Sequence, residues 1–493
     1  MNTQTSTTKQ EFVFTDRHLL GIVLAVTTYF LFAQTVLNVV GMMRADLGIE
    51  ATEGNIAVSL TSLFAGVTVV VFGGLADRIG RKRISIWGLG LSIAGSLLIA
   101  ITPADAGALT TSVLYAGRIL QGLSAACIMP ATLALVKAYV SGAERQRALS
   151  FWSIGSWGGS GITSLLGGLV ASAIGWRWIF VVAIVVAAVS FLLIRDLPES
   201  TAGDAQSHAK FDWGGLIAFI IALVSINIWI SQGSRIGWLS PVSIVLLLLF
   251  IVGLVIFLNI ERKVAAPFMH LDLFKDRLFT GATVSNFLLN SCIGTLLVAL
   301  GVVQAGAGFS TLQAGLLTVG YLVAVLVSIR LGERFLKSHG PRNPMLWGTL
   351  LTAIGILPLS FTGLLIGQYV VVAVIGFTIF GVGLGLYATP SLDAALTNVP
   401  ADQAGSASGI YKMASLLGGA FGTAISGAIY SGLANVPAEA VHFVTDHFLG
   451  RTDNASIRYA ALVALLVNVA IALLAHVTIR VTIPKREKQA ASS

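Results

Sequence analysis

Residues 73–82 read GGLADRIGRK and join two long apolar runs, 55–75 and 84–103. The glycines in this stretch permit a tight turn and a close approach between helices. Asp77 can cap the following turn or pair with a nearby arginine. Four basic residues hold the loop on the cytoplasmic side under the positive-inside rule: Arg78, Arg81, Lys82 and Arg83. Loop charge alone therefore predicts a topology anchor at this point.

The composition excludes a water-soluble protein. The chain has 493 residues, of which 56% are hydrophobic and 11% are charged, and its mean hydropathy is +0.87. Soluble domains are about one quarter charged. The formal charge of +8 is spread over short loops, so no basic face for nucleic acid is expected. Two cysteines inside apolar segments predict neither a disulfide framework nor a metal site.

The apolar residues are arranged in fourteen runs of membrane-spanning length, since a bilayer core of about 30 Å needs roughly 20 residues of helix. These runs are too long for barrel strands, so the chain is expected to be an all-α integral membrane protein. The predicted helices are 19–41, 55–75, 84–103, 111–135, 149–173, 177–195, 214–232, 240–260, 279–304, 312–331, 344–365, 369–392, 405–433 and 457–481.

Loop charge predicts that both termini are cytoplasmic, which requires an even number of helices. When alternate loops are assigned to the cytoplasm, starting with the N-terminus, 24 of the 30 lysines and arginines fall on that side. The exceptions are Arg44, Arg177, Arg235, Arg451 and Arg458 on the outer side and Arg118 within a helix.

The two halves of the chain repeat each other at a shift of 260 residues. Pro130 then meets Pro390, and Gly167 meets Gly427. Two related halves predict alternating access, with the substrate held between them near the midplane. The expected organisation is a six-helix half at 1–195, a linker with two inserted helices at 196–260, and a second six-helix half at 261–493.

The stretch 73–82 resembles the signature loop of the major facilitator superfamily, G-x-L-a-D-r-x-G-r-k, at all its fixed positions. A weaker second copy is present at residues 332–342. The resemblance implies the fold of that superfamily and a loop that acts as a conformational latch. The latch residues would be Gly73, Asp77, Arg78, Gly80, Arg81 and Lys82.

Residues 118–122, Arg-Ile-Leu-Gln-Gly, resemble the helix-4 motif R-x-x-q-G of the drug exporters of this superfamily. In those proteins the arginine is linked to proton coupling. A charge at the bilayer centre is costly, so Arg118 is a functional candidate on physical grounds as well. The alternative is a structural arginine that bonds backbone carbonyls between helices.

Two further motifs match the fourteen-helix drug:proton antiporters only in part. In helix 5 the central Gly-Pro of the antiporter motif is replaced by Thr163-Ser164. In helix 1 the acid and the proline of the cationic-drug exporters are replaced by Ala33 and Met42. The combination of Phe32-Ala33-Gln34 with residues 155–159 and 387–391 resembles the quinolone-exporting branch of the family, which also lacks the helix-1 acid.

A proton antiporter needs a group that titrates within the membrane. Nearly all of the 22 acids fall in loops or at the termini, and Asp393 in helix 12 is the exception. Lys412, just inside helix 13, is the other unusual charge. Asp393, Lys412 and Arg118 are therefore the candidates for proton coupling. The alternative for Asp393 is a structural role, in which it caps the loop 393–404 or pairs with Lys412.

Aromatic and amide side chains of the central helices are the candidates for drug contacts, because such walls suit amphipathic planar compounds. Ordinary packing between helices is the alternative for each of them. The candidates are Tyr29, Gln34, Asn38, Trp157, Asn286, Asn290, Tyr321 and Tyr411.

The expected function is proton-driven export of amphipathic drugs such as quinolones, dyes and quaternary ammonium disinfectants from the cell membrane. The alternative is a dedicated exporter or a proton symporter of a single endogenous metabolite. An enzyme is not expected, and the phosphate loop G-x-x-x-x-G-K-[ST] is absent from the sequence. The proton gradient is therefore the expected energy source, with no cofactor, and a monomer in the lipid bilayer is the expected form.

Overall fold

A computed structural model describes residues 12–158, 169–171, 173–201, 212–264, 267, 269–309, 311–442, 446–448 and 450–485. Over these residues the chain forms helices and short connections, and no described residue lies in a β-strand. Eleven helices within this part of the chain are long and apolar enough to cross a membrane. The predicted all-α fold is confirmed, and the count of fourteen spans is consistent with the observed order of helices.

The helices follow one another in the order that the apolar runs predict. The first half contains α1 Asp16–Leu47, α2 Ala51–Ile79, α3 Arg81–Ala100, α4 Ala108–Tyr139, α5 Gly142–Ser153 and α6 Arg177–Ile194, and α5 continues into a π-helical turn, Ile154–Gly158. Two helices follow, α7 Trp213–Ile236 and α8 Pro241–Glu261. The second half contains α9 Arg277–Ser291, α10 Gly294–Ala305, α11 Thr311–Leu316, α12 Val319–His339, α13 Arg342–Leu359, α14 Ile366–Thr397, α15 Ala404–Ala434 and α16 Ala455–Thr482.

Local sequence signals set several helix ends. Ser240 caps α8 by accepting a hydrogen bond from the Ser243 backbone N–H at 3.2 Å, and Pro241 occupies the first turn. Proline suits this position because its missing N–H would have no partner within the helix. Asp276 caps α9 by accepting from the backbone N–H groups of Leu278 and Phe279, at 2.6 and 2.9 Å.

The internal repeat is visible in the helices themselves. A shift of 260 residues places α2 on residues 311–339, which are covered by α11 and α12. Helices α4 and α14 both have 32 residues, and each contains its proline, Pro130 or Pro390, within the helix. The contacts between the halves follow the repeat as well. Helix α2 packs on α15, and the pair that the repeat makes equivalent, α12 and α5, also packs together. Helices α4 and α14 add the contacts α4–α15 and α5–α14.

The inserted helices α7 and α8 pack mainly against each other, and α7 also contacts α2 and α15. Helix α8 exposes a continuous apolar surface that includes Leu248, Ile251 and Val252. Such a surface suits contact with lipid, because the hydrocarbon core of a bilayer is itself apolar. The division of the chain at residues 195/196 and 260/261 stays a prediction.

We call the end of the bundle that carries residues 73–82 the latch end. The last turns of α2, α4, α12 and α14 meet there with the first turns of α3, α5 and α15. The two halves are in contact at this end. The candidate functional site therefore begins at the latch end and extends into the interface between the halves.

Candidate functional site: the latch end and the interface between the halves

Asp77 accepts four hydrogen bonds at the latch end, and two of them come from the other half. Its buried carboxylate accepts from Arg81 Nε at 3.0 Å and from Arg81 Nη2 at 2.8 Å. It also accepts from the backbone N–H groups of Gly405 and Ser406, each at 2.9 Å. These two N–H groups belong to the first turn of α15, where the helix dipole favours a negative charge. The acid of the first half thus caps a helix of the second half.

Two glycines allow this contact because their backbones meet. A Cβ added at Gly73 would overlap the backbone carbonyl oxygen of Gly405, and a Cβ added at Gly405 would overlap that of Gly73. Gly80, which follows α2, has φ +129°, a conformation that favours glycine. The glycines of the signature loop are therefore required by close approach and by backbone geometry.

The loop is also held by a segment that sequence reasoning did not single out. Glu199, which follows α6, accepts from the backbone N–H groups of Lys82 and Arg83 at 2.9 and 3.1 Å. It therefore caps the first turn of α3. The Ser200 carbonyl oxygen accepts from the Arg81 backbone N–H at 3.0 Å, and the Arg81 guanidinium also reaches the Ala401 carbonyl oxygen.

Arg78 connects the loop to the segment that follows the inserted helices. Its Nη2 donates to the Pro267 carbonyl oxygen at 3.4 Å, and Glu261 lies close enough to attract it electrostatically. His270 lies in the same segment. Burial lowers the pKa of His270 below its ordinary value; the Asp402 carboxylate opposes this shift and the Arg78 guanidinium reinforces it.

Asp393 forms the second charged contact between the halves. Its buried carboxylate accepts from Arg145 Nε at 3.2 Å and from Arg145 Nη2 at 2.9 Å, and Gln146 approaches its other oxygen at 3.5 Å. Arg145 and Gln146 lie in the first turn of α5, in the other half. Of the partners considered from the sequence, the structure shows neither the pairing with Lys412 nor the capping of loop 393–404; the ion pair is with Arg145.

Lys137 adds a third polar contact at the latch end. Its ammonium group donates to the backbone carbonyl oxygens of Leu396 and Val399, beside the last turn of α14. A cation is favourable at a helix C-terminus, because it can donate hydrogen bonds to the carbonyl oxygens that have no partner within the helix. Lys137, Arg145 and Asp77 therefore connect the two halves at the latch end.

Arg118 lies deep within the first half, between α2 and α4. Its side chain is fully buried; Nε donates to the Ala57 carbonyl oxygen at 2.9 Å and Nη1 donates to Gln121 Oε1 at 2.8 Å. The Thr61 hydroxyl donates a hydrogen bond to the backbone carbonyl oxygen of Arg118 at 2.9 Å. Tyr29 is buried nearby, close enough to interact electrostatically with the guanidinium. Carbonyl bonding between helices, the structural alternative, is therefore present.

Lys412 lies at the interface between the halves. Its ammonium nitrogen is 4.2 Å from the ring centroid of Trp152 in α5 and 5.9 Å from that of Tyr411. Trp152 is itself buried and donates from Nε1 to Thr132 Oγ1 at 3.0 Å. The contact between Lys412 and Trp152 is a cation–π interaction that bridges the two halves.

The candidates for drug contact fall into one group and several isolated positions. Asn286, Asn290 and Tyr411 lie together: Asn286 Nδ2 donates to the Tyr411 carbonyl oxygen at 3.0 Å, and Asn290 Nδ2 donates to Asn286 Oδ1 at 2.9 Å. Tyr321 stacks on Phe380, with ring centroids 5.5 Å apart. The remaining candidates are Tyr29 beside Arg118, Trp157 on the π-helical turn, and Gln34 and Asn38, whose side chains lie outside the described residues.

Sequence reasoning missed Arg145, Lys137, Glu199 and Trp152. A weak signal existed for Arg145 and Lys137, since basic residues cluster in the loop that follows the first proline-containing helix. The predicted antiporter motif in helix 5 includes residues 159–168, which lie outside the described residues.

The chain is built from two halves related by a repeat, and these halves are in contact at the latch end. The sequence matches the Major Facilitator Superfamily profile over residues 20–423, with a second match over residues 282–492. The chain belongs to this superfamily. It is therefore a multi-pass membrane transporter and not an enzyme.

Two similar proteins are the quinolone resistance protein NorB of Staphylococcus aureus strain MRSA252 and that of strain COL. Each is 45% identical to this chain over 478 residues, which is 97% of this chain and 98% of the relative. The predicted resemblance to the quinolone-exporting branch is confirmed by this similarity.

Two solved structures have the same fold. The human organic anion transporter MFSD10 (TETRAN) superposes with a TM-score of 0.62 at 14% identity, covering 94% of this chain and 98% of that one. The proton:xylose symporter XylE, bound to 6-bromo-6-deoxy-D-glucose, superposes with a TM-score of 0.62 at 16% identity, covering 96% and 97%. At these identities the likeness concerns the fold alone.

Proposed function

We propose that this chain is a proton-coupled efflux transporter of the cell membrane that exports amphipathic drugs, including quinolones, dyes and quaternary ammonium disinfectants. The latch-end contact of Asp77 with the first turn of α15 is the observation that carries the transport cycle. Export of quinolones is supported by the relatives, which are quinolone resistance proteins.

The latch end faces the cytoplasm in this proposal. The basic residues of the loop, Arg78, Arg81, Lys82 and Arg83, support this orientation under the positive-inside rule. Both termini then lie in the cytoplasm. In the described arrangement the cytoplasmic side is closed by the contacts of Asp77, Lys137 and Asp393, so cargo would leave from the opposite side.

Opening of the latch end requires that these contacts break together. Asp77 must leave the N-terminus of α15, and Arg145 must leave Asp393. Because a neutral carboxylic acid attracts a guanidinium far less than a carboxylate does, a proton on Asp393 would weaken the second contact. This links proton binding to access from the cytoplasm, with the proton gradient as energy source and no cofactor.

Proton coupling is assigned in this proposal to the buried charges Arg118, Asp393 and Lys412. Asp393 is the carboxylate of the three and is therefore the group that can carry a proton as a neutral acid. Arg118 stays charged and orders the first half around it. The drug-contact residues remain the aromatic and amide candidates: Tyr29, Gln34, Asn38, Trp157, Asn286, Asn290, Tyr321 and Tyr411.

Transport in proteoliposomes of a drug panel under an imposed pH gradient tests the proposed function. We expect several unrelated amphipathic drugs to accumulate against their gradients in exchange for protons, and collapse of the pH gradient to abolish accumulation. Vesicles without the protein give the background. Transport of a single compound, or drug movement in the direction of the protons, would replace this proposal with the metabolite exporter or the symporter.

Replacing Arg118 with lysine should reduce coupled drug transport by about tenfold or more. The lysine retains the charge but cannot reach both the Ala57 carbonyl and Gln121 with a planar fork, so buried groups lose their partners. The measurement is the initial transport rate at equal protein content. Wild-type transport by the lysine variant would contradict the proposed role of the guanidinium.

A further inference from the structure

Lys412 presents a buried ammonium group that the described residues leave without a counter-ion. The residue is 5% exposed, and its nitrogen contacts the faces of Trp152 and Tyr411. Over the described part of the chain, no carboxylate lies within ion-pairing distance of it and no acceptor receives a hydrogen bond from it. An ammonium group has three donors, and aromatic faces do not replace oxygen acceptors. A charge buried in this way within a membrane helix marks a functional site.

A second polar group next to Lys412 also lacks a partner. Ser408 lies one helical turn before Lys412 on α15, so the two side chains share a face of that helix. The Ser408 hydroxyl is fully buried and makes no hydrogen bond with any described residue. Buried polar groups are nearly always satisfied, and an exception calls for an absent water, ion or ligand. An ammonium and a hydroxyl together are the donors that an oxyanion requires.

The acids of the described residues do not supply that oxyanion. The buried carboxylates among the described residues lie at the latch end, and those next to the interface already have partners. Asp77 is held by Arg81 and by the first turn of α15, Asp393 by Arg145, and Glu333 by Lys337. The negative charge that would complete the Lys412 site must therefore come from outside the protein.

The position of Lys412 fits a cargo site. It lies eight residues into α15, which is about 12 Å from the latch end of that helix. Trp152, its partner, belongs to the other half of the molecule. Substrates of transporters built from two repeats bind between the halves. A cargo molecule at this point would touch both halves, as alternating access requires.

We propose that Lys412 binds the carboxylate of the cargo and that Ser408 donates a hydrogen bond to it. The substrate class is then amphipathic compounds that carry a carboxylate. This inference rests on the proposed export of amphipathic drugs, and it gives Lys412 a direct contact with cargo. Compounds that carry only a positive charge would not be bound by Lys412.

A matched pair of ligands tests the inference: a fluoroquinolone and its methyl ester, which differ only at the carboxylate. With the purified full-length protein in detergent, at one fixed pH, we expect the acid to bind about tenfold more tightly than the ester. Lys412→Met should weaken binding of the acid about tenfold and leave that of the ester within about twofold. Lys412→Arg, which keeps the charge, should retain most of the preference for the acid.

The control variant is Lys275→Met, because Lys275 is 82% exposed and lies in the connection before α9. It should bind both ligands as the wild type does. Equal affinity of the wild type for acid and ester would overturn the inference without any variant. Equal loss of both ligands in Lys412→Met would also overturn it, since a packing role does not distinguish them. If the wild type binds the acid but transports no drug in vesicles, the proposed export fails while the binding site stands.

Discussion

Replacing Asp77 with asparagine should lower the rate of drug transport by at least about tenfold while the protein still inserts into the membrane. The carboxylate accepts four hydrogen bonds, two of them from the N-terminus of α15 in the other half. Hydrogen bonds to a charged group contribute about 1.5–3 kcal/mol each, so losing about 2 kcal/mol at this contact changes the population of the closed latch end about 30-fold. Arg81 also loses its buried counter-ion, which adds to the cost.

The measurement combines the initial transport rate with chemical labelling of Ser150→Cys, since Ser150 is fully buried where α5 meets α12. Opening of the latch end should increase the labelling rate in the Asp77→Asn background. Asp272→Asn removes an exposed carboxylate near the same end and serves as the control. Wild-type transport with unchanged labelling would show that the loop acts only as a topology anchor.

The sequence predicted the helices and the latch loop because both depend on local pattern. Apolar runs of bilayer length specify helices almost independently of their neighbours, since the backbone has no other way to satisfy its hydrogen bonds in lipid. Gly73, Gly80 and Asp77 were singled out for a turn, a close approach and a cap. The structure gives both glycines a geometric reason, backbone overlap at Gly73 and positive φ at Gly80. Asp77 pairs with Arg81, one of the two expected alternatives, but the helix that it caps is α15 and not the turn that follows it in the sequence.

The partners of these residues could not be predicted, because they are distant in the sequence. Asp77 caps a helix 328 residues further along the chain, and Arg145 pairs with an acid 248 residues away. Neither α15 nor α5 carries a local signal that it will meet a carboxylate or a guanidinium from the other half. Glu199 was missed for the same reason, since a linker acid gives no sign that it will cap α3.

The surroundings of Lys412 could not be predicted from the sequence either. The sequence identified the lysine as an unusual charge within helix 13 and offered Asp393 as its partner. The structure instead places an aromatic ring, Trp152, against the ammonium and gives Asp393 to Arg145. Hydropathy does not indicate whether a tryptophan will contact lipid or a cation, so the contact between Trp152 of α5 and Lys412 of α15 could be found only in the structure.

Asp393→Asn should abolish accumulation of drug against a gradient, reducing it by about tenfold or more, while downhill exchange of drug continues. Asparagine resembles the protonated acid, because it is neutral and cannot hold the Arg145 guanidinium as an ion pair. The latch end would then open without a proton, and drug flow would no longer be tied to proton flow. The measurement is drug accumulation under a pH gradient beside drug counterflow without one, with Asp393→Glu as the variant that keeps the carboxylate.

Exchanging the charges of Arg145 and Asp393 tests closure of the latch end separately from proton coupling. In Arg145→Asp combined with Asp393→Arg, the ion pair can form again across the same interface, so labelling of Ser150→Cys should return toward the wild-type rate. Each single variant instead brings two like charges together at this interface, which should destabilise the closed latch end and speed labelling. If Asp393→Asn accumulates drug as the wild type does, Asp393 carries no coupled proton, and recovery of slow labelling by the exchanged pair would then assign Asp393 to closure alone.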